Sequence, residues 1–191
     1  MNICVYGASS NKIDSAHIAA GERLGVYMAE RGHTLVFGGG ANGMMGAAAR
    51  GTDRKGGKII GVAPTFFNVD GILFERCTEL IGTETMRERK QKMEDLSDAF
   101  IMTAGGIGTF EEFFEILTLK QLSRHKKAIV ILNTEGYFNS LIEMMEKAVE
   151  GQFMSKESLS LYKVAKTAED AVAYIEKYVA DDGDITRYKN I

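Results

Sequence analysis

Residues 105–112 read GGIGTFEE, so a cluster of glycines is followed directly by two carboxylates. An apolar run precedes the glycines, and from Thr109 onward apolar residues recur at helical spacing. The pattern predicts a strand, a tight turn and a helix that begins near Thr109. The free amides of a helix N-terminus and the close approach that glycines allow favour an anion such as phosphate. This turn is therefore the first candidate binding site.

The two carboxylates, Glu111 and Glu112, leave two roles open. Thr109 and Glu112 fit the pattern S/T-x-x-E, in which the glutamate bonds back to the capping residue and only stabilises the helix. Alternatively, a carboxylate here could take part in catalysis. The helix dipole favours acids in a first turn, but they would repel a phosphate unless the two occupied different sides of the site.

Arg89 is a further candidate group. The sequence predicts a helix from Glu84, on which Met86 and Met93 lie along one apolar stripe. Arg89 falls on the same stripe, three residues after Met86 and four before Met93, and Lys90 follows it. An arginine at such a position either extends to the surface or is held inward for a carboxylate or phosphate. Periodicity favours neither.

The elements that must position these groups follow from hydrophobic periodicity. Strands are predicted at 2–7, 34–37, 58–62, 99–103, 127–132 and 161–165, and helices at 14–31, 84–98, 137–150 and 168–179 and after each of two glycine turns. The second glycine turn, GGGANGMMG, spans 38–46. Alternating strands and helices imply a parallel sheet with ligand sites at the carboxyl ends of its strands, so both turns are expected on one edge.

The rest of the chain is expected to complete one domain over 1–180, followed by a loose polar tail at 181–191. The segment 65–81 fits no single period, and we expect it to wrap over the site or over a partner subunit.

Composition limits the classes of protein to consider. Of 191 residues, 45% are hydrophobic, which is enough for one sizeable core, and a formal charge of -3 offers no global attraction to nucleic acid or an anionic membrane. Cys4 is expected in the core, and Cys77 has no Cys or His at metal-ligand spacing. The sequence has neither a secretion signal nor a long apolar run, which predicts a soluble, cytoplasmic protein.

Common catalytic motifs are missing from the sequence. The turn after the first strand reads GASS rather than G-x-G-x-x-G, and neither glycine turn reads G-x-x-x-x-G-K-[ST]. There is no G-x-S-x-G, and the three histidines, at 17, 33 and 125, are widely separated. These patterns disfavour a dinucleotide oxidoreductase, a phosphoryl-transfer enzyme, a serine hydrolase and a metal site.

Residues 86–93, MRERKQKM, form a methionine-flanked Arg-Lys helix, and 105–112 follow the pattern G-G-x-G-T-x-x-E. Together with the turn at 38–46, these motifs resemble the LOG ("lonely guy") family of cytokinin-activating phosphoribohydrolases. Strand order and spacing agree with that family to about residue 152. Ala104 stands where the family motif has proline, which should loosen the entry to the turn without removing a catalytic group.

The resemblance implies a Rossmann-like α/β fold, a single-domain doubly wound parallel sheet flanked by helices, in a homodimer. It further implies hydrolysis of the N-glycosidic bond of an AMP-like nucleoside 5′-monophosphate to free base and ribose 5-phosphate, without a cofactor. Members are often labelled lysine decarboxylases, but that reaction would call for pyridoxal phosphate and a much larger frame.

By the same resemblance, Glu112 would stabilise positive charge on the ribose and activate water, and Arg89 would orient Glu112 or the substrate. The predicted substrate-binding residues are Gly39, Gly40, Met86, Arg89, Lys90, Gly105, Gly106, Gly108, Thr109 and Glu111.

Two other classes stay open: a carrier of a phosphorylated cofactor such as the molybdenum cofactor, and a sensor that binds AMP intact. The joint presence of Arg89 and Glu112 favours the enzyme, because a carrier would not need both. Base specificity is also open between plain AMP and an N6-prenylated adenine, with Phe66, Phe67, Met86 or a partner subunit as candidate contacts.

Overall fold

Strands and helices alternate along the chain in the computed structural model, which describes residues 1–67, 71–180 and 185–188. The strands are β1 (Asn2–Tyr6), β2 (Thr34–Phe37), β3 (Ile59–Pro64), β4 (Glu79–Thr83), β5 (Ala99–Met102), β6 (Ala128–Leu132) and β7 (Lys163–Ala165). The helices are α1 (Ser15–Glu30), α2 (Gly43–Arg54), α3 (Met86–Leu96), α4 (Ile107–Gln121), α5 (Asn139–Glu150) and α6 (Ala168–Lys177). Short 3-10 turns span Thr65–Phe67, Thr134–Gly136, Lys156–Leu161 and Ile185–Tyr188.

All seven strands pair in parallel, in the order β4-β3-β2-β1-β5-β6-β7. Strands β2, β3 and β4 follow one another on one side of β1, and β6 and β7 follow one another on the far side of β5. The strand order therefore reverses between β1 and β5. In sheets of this kind the crevice at the reversal, outside the carboxyl ends of the strands, is the usual ligand site. The doubly wound α/β fold is therefore confirmed, and the first glycine turn lies at the reversal.

Helices cover both faces of the sheet. One core contains side chains of α1, α2 and α6, among them Leu24, Met28, Ala48, Val172 and Ile175. The other contains side chains of α3, α4 and α5, among them Met93, Phe113, Ile116 and Met145. Cys4 is buried in this second core, as predicted, and both cysteines are free thiols. None of the described helices combines the length and apolar character needed to cross a bilayer.

The expectation that 65–81 is irregular was wrong at its end, where Glu79–Thr83 forms the edge strand β4. An edge strand has a neighbouring strand on one side only, and the Leu80 side chain of β4 is 49% exposed. The sequence of β4, ELIGT, therefore lacks the continuous apolar pattern of a buried strand. Residues 65–67 form a 3-10 turn, and 68–70 lie outside the described residues.

Helices α1 and α2 pack closely because glycines line their contact. A methyl group at Gly25 would lie 2.0 Å from the carbonyl oxygen of Ala48, and one at Gly51 would lie 2.1 Å from that of Glu22. Backbones can approach this closely only where side chains are absent. The contact therefore fixes α2, which follows the second glycine turn, against α1.

The end of the chain partly differs from the predicted loose tail. In Ile185–Tyr188, the Tyr188 side chain is buried and its carbonyl accepts a hydrogen bond from the Gln121 side chain at 3.0 Å. The remainder of the predicted tail, 181–184 and 189–191, lies outside the described residues. Thr167 caps α6 by accepting a bond from the Asp170 amide at 3.1 Å.

Candidate active site

A buried ion pair joins α3 to α4 at the carboxyl ends of the central strands. Arg89 Nη1 donates to Glu112 Oε1 at 2.8 Å, and the two residues are 6% and 9% exposed. Of the two positions that periodicity left open for Arg89, the structure therefore has the inward one. An arginine buried against a carboxylate forms a directed, charge-assisted hydrogen bond that fixes both side chains.

The capping role considered for Glu112 is wrong. Helix α4 begins at Ile107, two residues before the predicted start, and its N-cap is Gly106, which has no side chain to accept a bond. Thr109 is thus inside the first turn, and Glu112 is directed toward Arg89 instead. A threonine cap does occur on α3, where Thr85 accepts a bond from the Glu88 amide at 3.1 Å.

Two backbone segments fix the guanidinium of Arg89. Its Nε donates to the carbonyl of Val62, at the end of β3, at 3.2 Å. Its Nη2 lies against Gly38, where an added methyl group would stand 1.8 Å from that nitrogen. Gly38 was not among the predicted site residues, yet it makes the close approach to Arg89. Because the whole side chain is buried, only a residue without a Cβ fits there.

Gly39 and Gly40 form one wall of the site beside this ion pair and are joined to the segment 72–74. Gly39 has a φ of +77°, a conformation that favours glycine, and its carbonyl accepts a bond from the Phe74 amide at 2.8 Å. Gly40 forms an antiparallel bridge with Leu73, and Ala41 donates to the carbonyl of residue 72 at 2.9 Å. The second glycine turn is thus paired with the segment that leads to β4.

Burial controls the electrostatics of Glu112. It raises the pKa of the Glu112 carboxyl above its ordinary value of 4.5, and the neighbouring Arg89 guanidinium opposes part of that rise. A buried carboxylate with a raised pKa is, when ionised, a stronger proton acceptor than an ordinary carboxylate.

The carbonyls of the first glycine turn accept hydrogen bonds from other parts of the protein, whereas its amides are left for a ligand. The carbonyls of Ala104, Gly105 and Gly106 accept hydrogen bonds from the Ala8 amide (3.0 Å), the Tyr137 hydroxyl (2.7 Å) and the Phe110 amide (3.0 Å). Within the described part of the chain, no hydrogen-bond acceptor meets the amides of residues 105–109. Free amides at the start of a helix, here one of 15 residues, are a favourable environment for an anion.

The four predicted residues of this turn differ in exposure. Thr109 is buried, and its hydroxyl oxygen would be 2.1 Å from a methyl group on Gly105, so Gly105 must be glycine. Gly106 and Gly108 have no atom within 4 Å of such a methyl group, so their outer sides face open space.

Sequence reasoning missed the loop between β1 and α1. The Asn11 side chain accepts a bond from the Gly43 amide at 2.8 Å and donates to Asn42 Oδ1 at 2.7 Å, so a residue from another loop caps α2. The Ala8 carbonyl accepts a bond from the Met45 amide at 3.3 Å, while its amide bonds to the first glycine turn. The loop therefore connects both glycine turns, and only its small polar residues hinted at this role.

Comparison with known proteins places these features in a family. The family model described as "Possible lysine decarboxylase" matches residues 45–175. The probable cytokinin riboside 5'-monophosphate phosphoribohydrolase LOGL5 of Oryza sativa subsp. japonica is 36% identical over 187 residues, covering 98% of this chain and 76% of the relative. The cytokinin riboside 5'-monophosphate phosphoribohydrolase LOG1 of Arabidopsis thaliana is 37% identical over 177 residues, covering 93% and 83%. The chain belongs to the LOG family.

Solved structures of similar fold extend beyond the LOG enzymes. The molybdenum cofactor binding protein of the phototrophic bacterium Rippkaea orientalis superposes with a TM-score of 0.71 at 21% identity, covering 92% of this chain and 94% of the other. The molybdenum cofactor carrier protein of Chlamydomonas reinhardtii gives 0.70 at 23%, covering 92% and 95%. Identities this low show a shared fold and leave function to be argued from the site.

The remaining predicted residues of this LOG protein surround the buried pair. The ammonium of Lys90 bonds to the carboxylates of Glu111 and Glu115, the second at 2.9 Å. Burial acts to lower the pKa of Lys90, but the two carboxylates outweigh it and raise that pKa. Lys90 is therefore shared between two carboxylates at the rim, and Met86, 41% exposed, lies in the first turn of α3.

Proposed function

We propose that this LOG-family protein hydrolyses the N-glycosidic bond of a nucleoside 5′-monophosphate, releasing the free base and ribose 5-phosphate. The observation that carries the proposal is the buried Arg89–Glu112 pair beside a helix N-terminus whose amides are unpaired within the described residues. The names of the relatives, cytokinin riboside 5'-monophosphate phosphoribohydrolases, agree with it.

The free amides of residues 106–109 would bind the 5′-phosphate, since no carboxylate among the described residues bonds to them and the helix dipole favours an anion there. This arrangement also reduces the repulsion expected between the phosphate and the carboxylates of Glu111 and Glu112. Glu112 is directed to Arg89, and Glu111 is paired with Lys90, so both carboxylates have cationic partners.

Bond cleavage develops positive charge on the ribose, as in glycoside hydrolysis. The electron pair of the bond between C1′ and the base nitrogen leaves with the base, and the oxygen of a water molecule bonds to C1′. Glu112 accepts a proton from that water and stabilises the positive ribose, and the base gains a proton as it leaves. Arg89 holds the carboxylate in place and opposes part of the rise in its pKa that burial causes.

A direct test is chromatography after separate incubations with AMP and with N6-isopentenyl-AMP. We expect free base and ribose 5-phosphate in equal amounts, and the ratio of the two rates measures the contribution of the prenyl group. Recovery of intact AMP from a stable complex would instead support a carrier or sensor.

We further propose that the protein acts as a homodimer that covers the exposed apolar side chains beside the site. Met86, Ile107 and Phe114 of α3 and α4 are all large and exposed. Light scattering after size-exclusion chromatography should give about twice the mass of the 21.0 kDa chain, and a stable monomer at assay concentration would contradict the proposal.

A further inference from the structure

The turn at 104–106 is attached to three different parts of the chain. Ala8 of the β1–α1 loop binds the carbonyl of Ala104, Phe110 of α4 binds that of Gly106, and between them Tyr137 binds that of Gly105. The first two donors are backbone amides. The Gly105 carbonyl depends on a side chain that is 32 residues away in sequence.

This carbonyl belongs to the peptide group between two glycines. In a trans peptide the C=O of one residue and the N–H of the next point in opposite directions, so the Tyr137 bond to Gly105 also sets the direction of the Gly106 amide. Glycines on both sides offer little steric resistance to rotation of that peptide. A rotated peptide would present an oxygen where an anion needs an N–H.

We propose that Tyr137 is a positioning residue for the phosphate: its hydroxyl holds the Gly105–Gly106 peptide with the N–H directed toward the ligand. The inference rests on the proposed function, in which the first glycine turn binds the 5′-phosphate. Tyr137 thereby acts on substrate affinity and not on the chemical step.

The loop that carries Tyr137 is built to place its ring. Glu135 and Gly136 both have positive φ, at 53° and 70°, which makes a sharp turn directly before it. The Asn133 side chain accepts a bond from the Phe138 amide at 2.7 Å and donates to Asn139 at 2.8 Å. These contacts fix the loop on both sides of the tyrosine.

The ring itself packs against other aromatic side chains. His17 of α1 meets it edge to face at 5.5 Å, and Phe138 does so at 4.9 Å. Tyr137→Phe retains both contacts and removes only the hydroxyl. Because the Tyr137 side chain is also 46% exposed, we expect the variant to fold normally.

The test compares wild type, Tyr137→Phe and the matched control Tyr174→Phe, which changes a tyrosine on α6. We expect Tyr137→Phe to raise the KM for AMP by about fivefold or more, the effect of one hydrogen bond, with kcat within about twofold. Inhibition by ribose 5-phosphate should weaken by the same factor, while inhibition by adenine, which has no phosphate, should not change. Tyr174→Phe should match wild type throughout.

The Gly106 amide gives a readout independent of turnover. In ¹⁵N NMR spectra, ribose 5-phosphate should shift this resonance downfield in wild type and less in Tyr137→Phe. An unchanged KM, inhibition constant and Gly106 shift in the variant would overturn the role of Tyr137, as would parallel losses of kcat and thermal stability with KM unchanged.

A different set of results would contradict the proposed hydrolysis without contradicting the role of Tyr137. Wild type would then release no base from AMP, while the shift caused by ribose 5-phosphate would still test Tyr137. Absence of both turnover and ribose 5-phosphate binding in wild type would overturn the two proposals together.

Discussion

Gly38 and Arg89 are so close that a methyl group on Gly38 would stand 1.8 Å from the guanidinium nitrogen Nη2. Arg89 is confined on its other sides by Val62 and Glu112. The position of the buried cation therefore depends on a glycine that carries no reactive group.

Gly38→Ala should displace Arg89 from Glu112. We expect kcat for AMP hydrolysis to fall by about tenfold or more, because a misplaced positioning group weakens catalysis without removing it. The melting temperature should also fall, since the displaced guanidinium leaves the buried carboxylate of Glu112 without its partner. Gly82→Ala on β4, where the nearest atom would be 3.4 Å away, serves as the control. Equal activities of the two variants would contradict the expectation.

Glu112→Gln should reduce kcat by roughly 10² or more, the scale of losing one general base, while AMP binding measured by calorimetry stays within a few-fold of wild type. Glu143→Gln, an exposed glutamate on α5, is the matched control and should behave as wild type. Turnover of AMP by Glu112→Gln at the wild-type rate would leave Glu112 with a structural role only.

The pH dependence of kcat/KM follows from the raised pKa of Glu112. Glu112 must be ionised to accept a proton, so activity should fall as pH falls through that pKa, at a pH above the ordinary carboxyl value of 4.5. A profile that stays flat down to pH 4.5 would show that no group with a raised pKa is required.

Arg89→Met tests the cation separately from the carboxylate. Without the guanidinium, only the smaller effect of Lys90 opposes the effect of burial, so the pKa of Glu112 should rise further. The acid limb of the kcat/KM profile should therefore move to higher pH, in addition to a lower maximum rate. Arg87→Met, an exposed arginine on α3, should leave the limb in place. A lower rate with no shift would mean that Arg89 does not control the ionisation of Glu112.

Gly25→Ala should destabilise the contact between α1 and α2. The added methyl group would meet a backbone oxygen at 2.0 Å, so the helices must separate, at a cost of about 2 kcal/mol in the free energy of unfolding. At Gly21, one turn earlier, the nearest atom is a side-chain carbon at 3.0 Å, and the higher helix propensity of alanine should offset the crowding. Urea unfolding of both variants checks the difference. Equal losses would contradict it.

The sequence allowed the buried strands and most helix positions to be predicted, because apolar periodicity and glycine turns are local signals. Apolar periodicity also predicted the stripe that contains Arg89, but it did not identify Glu112 as the partner of Arg89. What could not be predicted depends on contacts distant in sequence or on weak local patterns. The edge strand β4 has an exposed side, and α4 starts at a glycine cap that has no side-chain signature.

The contacts of two loops illustrate the same limit within the site. Asn11 caps a helix that begins 32 residues later, and Tyr137 reaches a carbonyl 32 residues earlier. Only the folded sheet brings such partners together. Pairing between Lys90 and the acids of α4 also depends on the packing of α3 against α4, which neither helical pattern specifies.

The bridge between Gly40 and Leu73 has an evolutionary consequence. Through Ala41 and Phe74, it ties the glycine turn to a segment that carries none of the proposed catalytic groups. Insertions or substitutions in that segment would reshape one wall of the site while Arg89 and Glu112 keep their positions. We therefore expect homologues with different base preferences to vary together at this turn and this segment, and to share the buried ion pair.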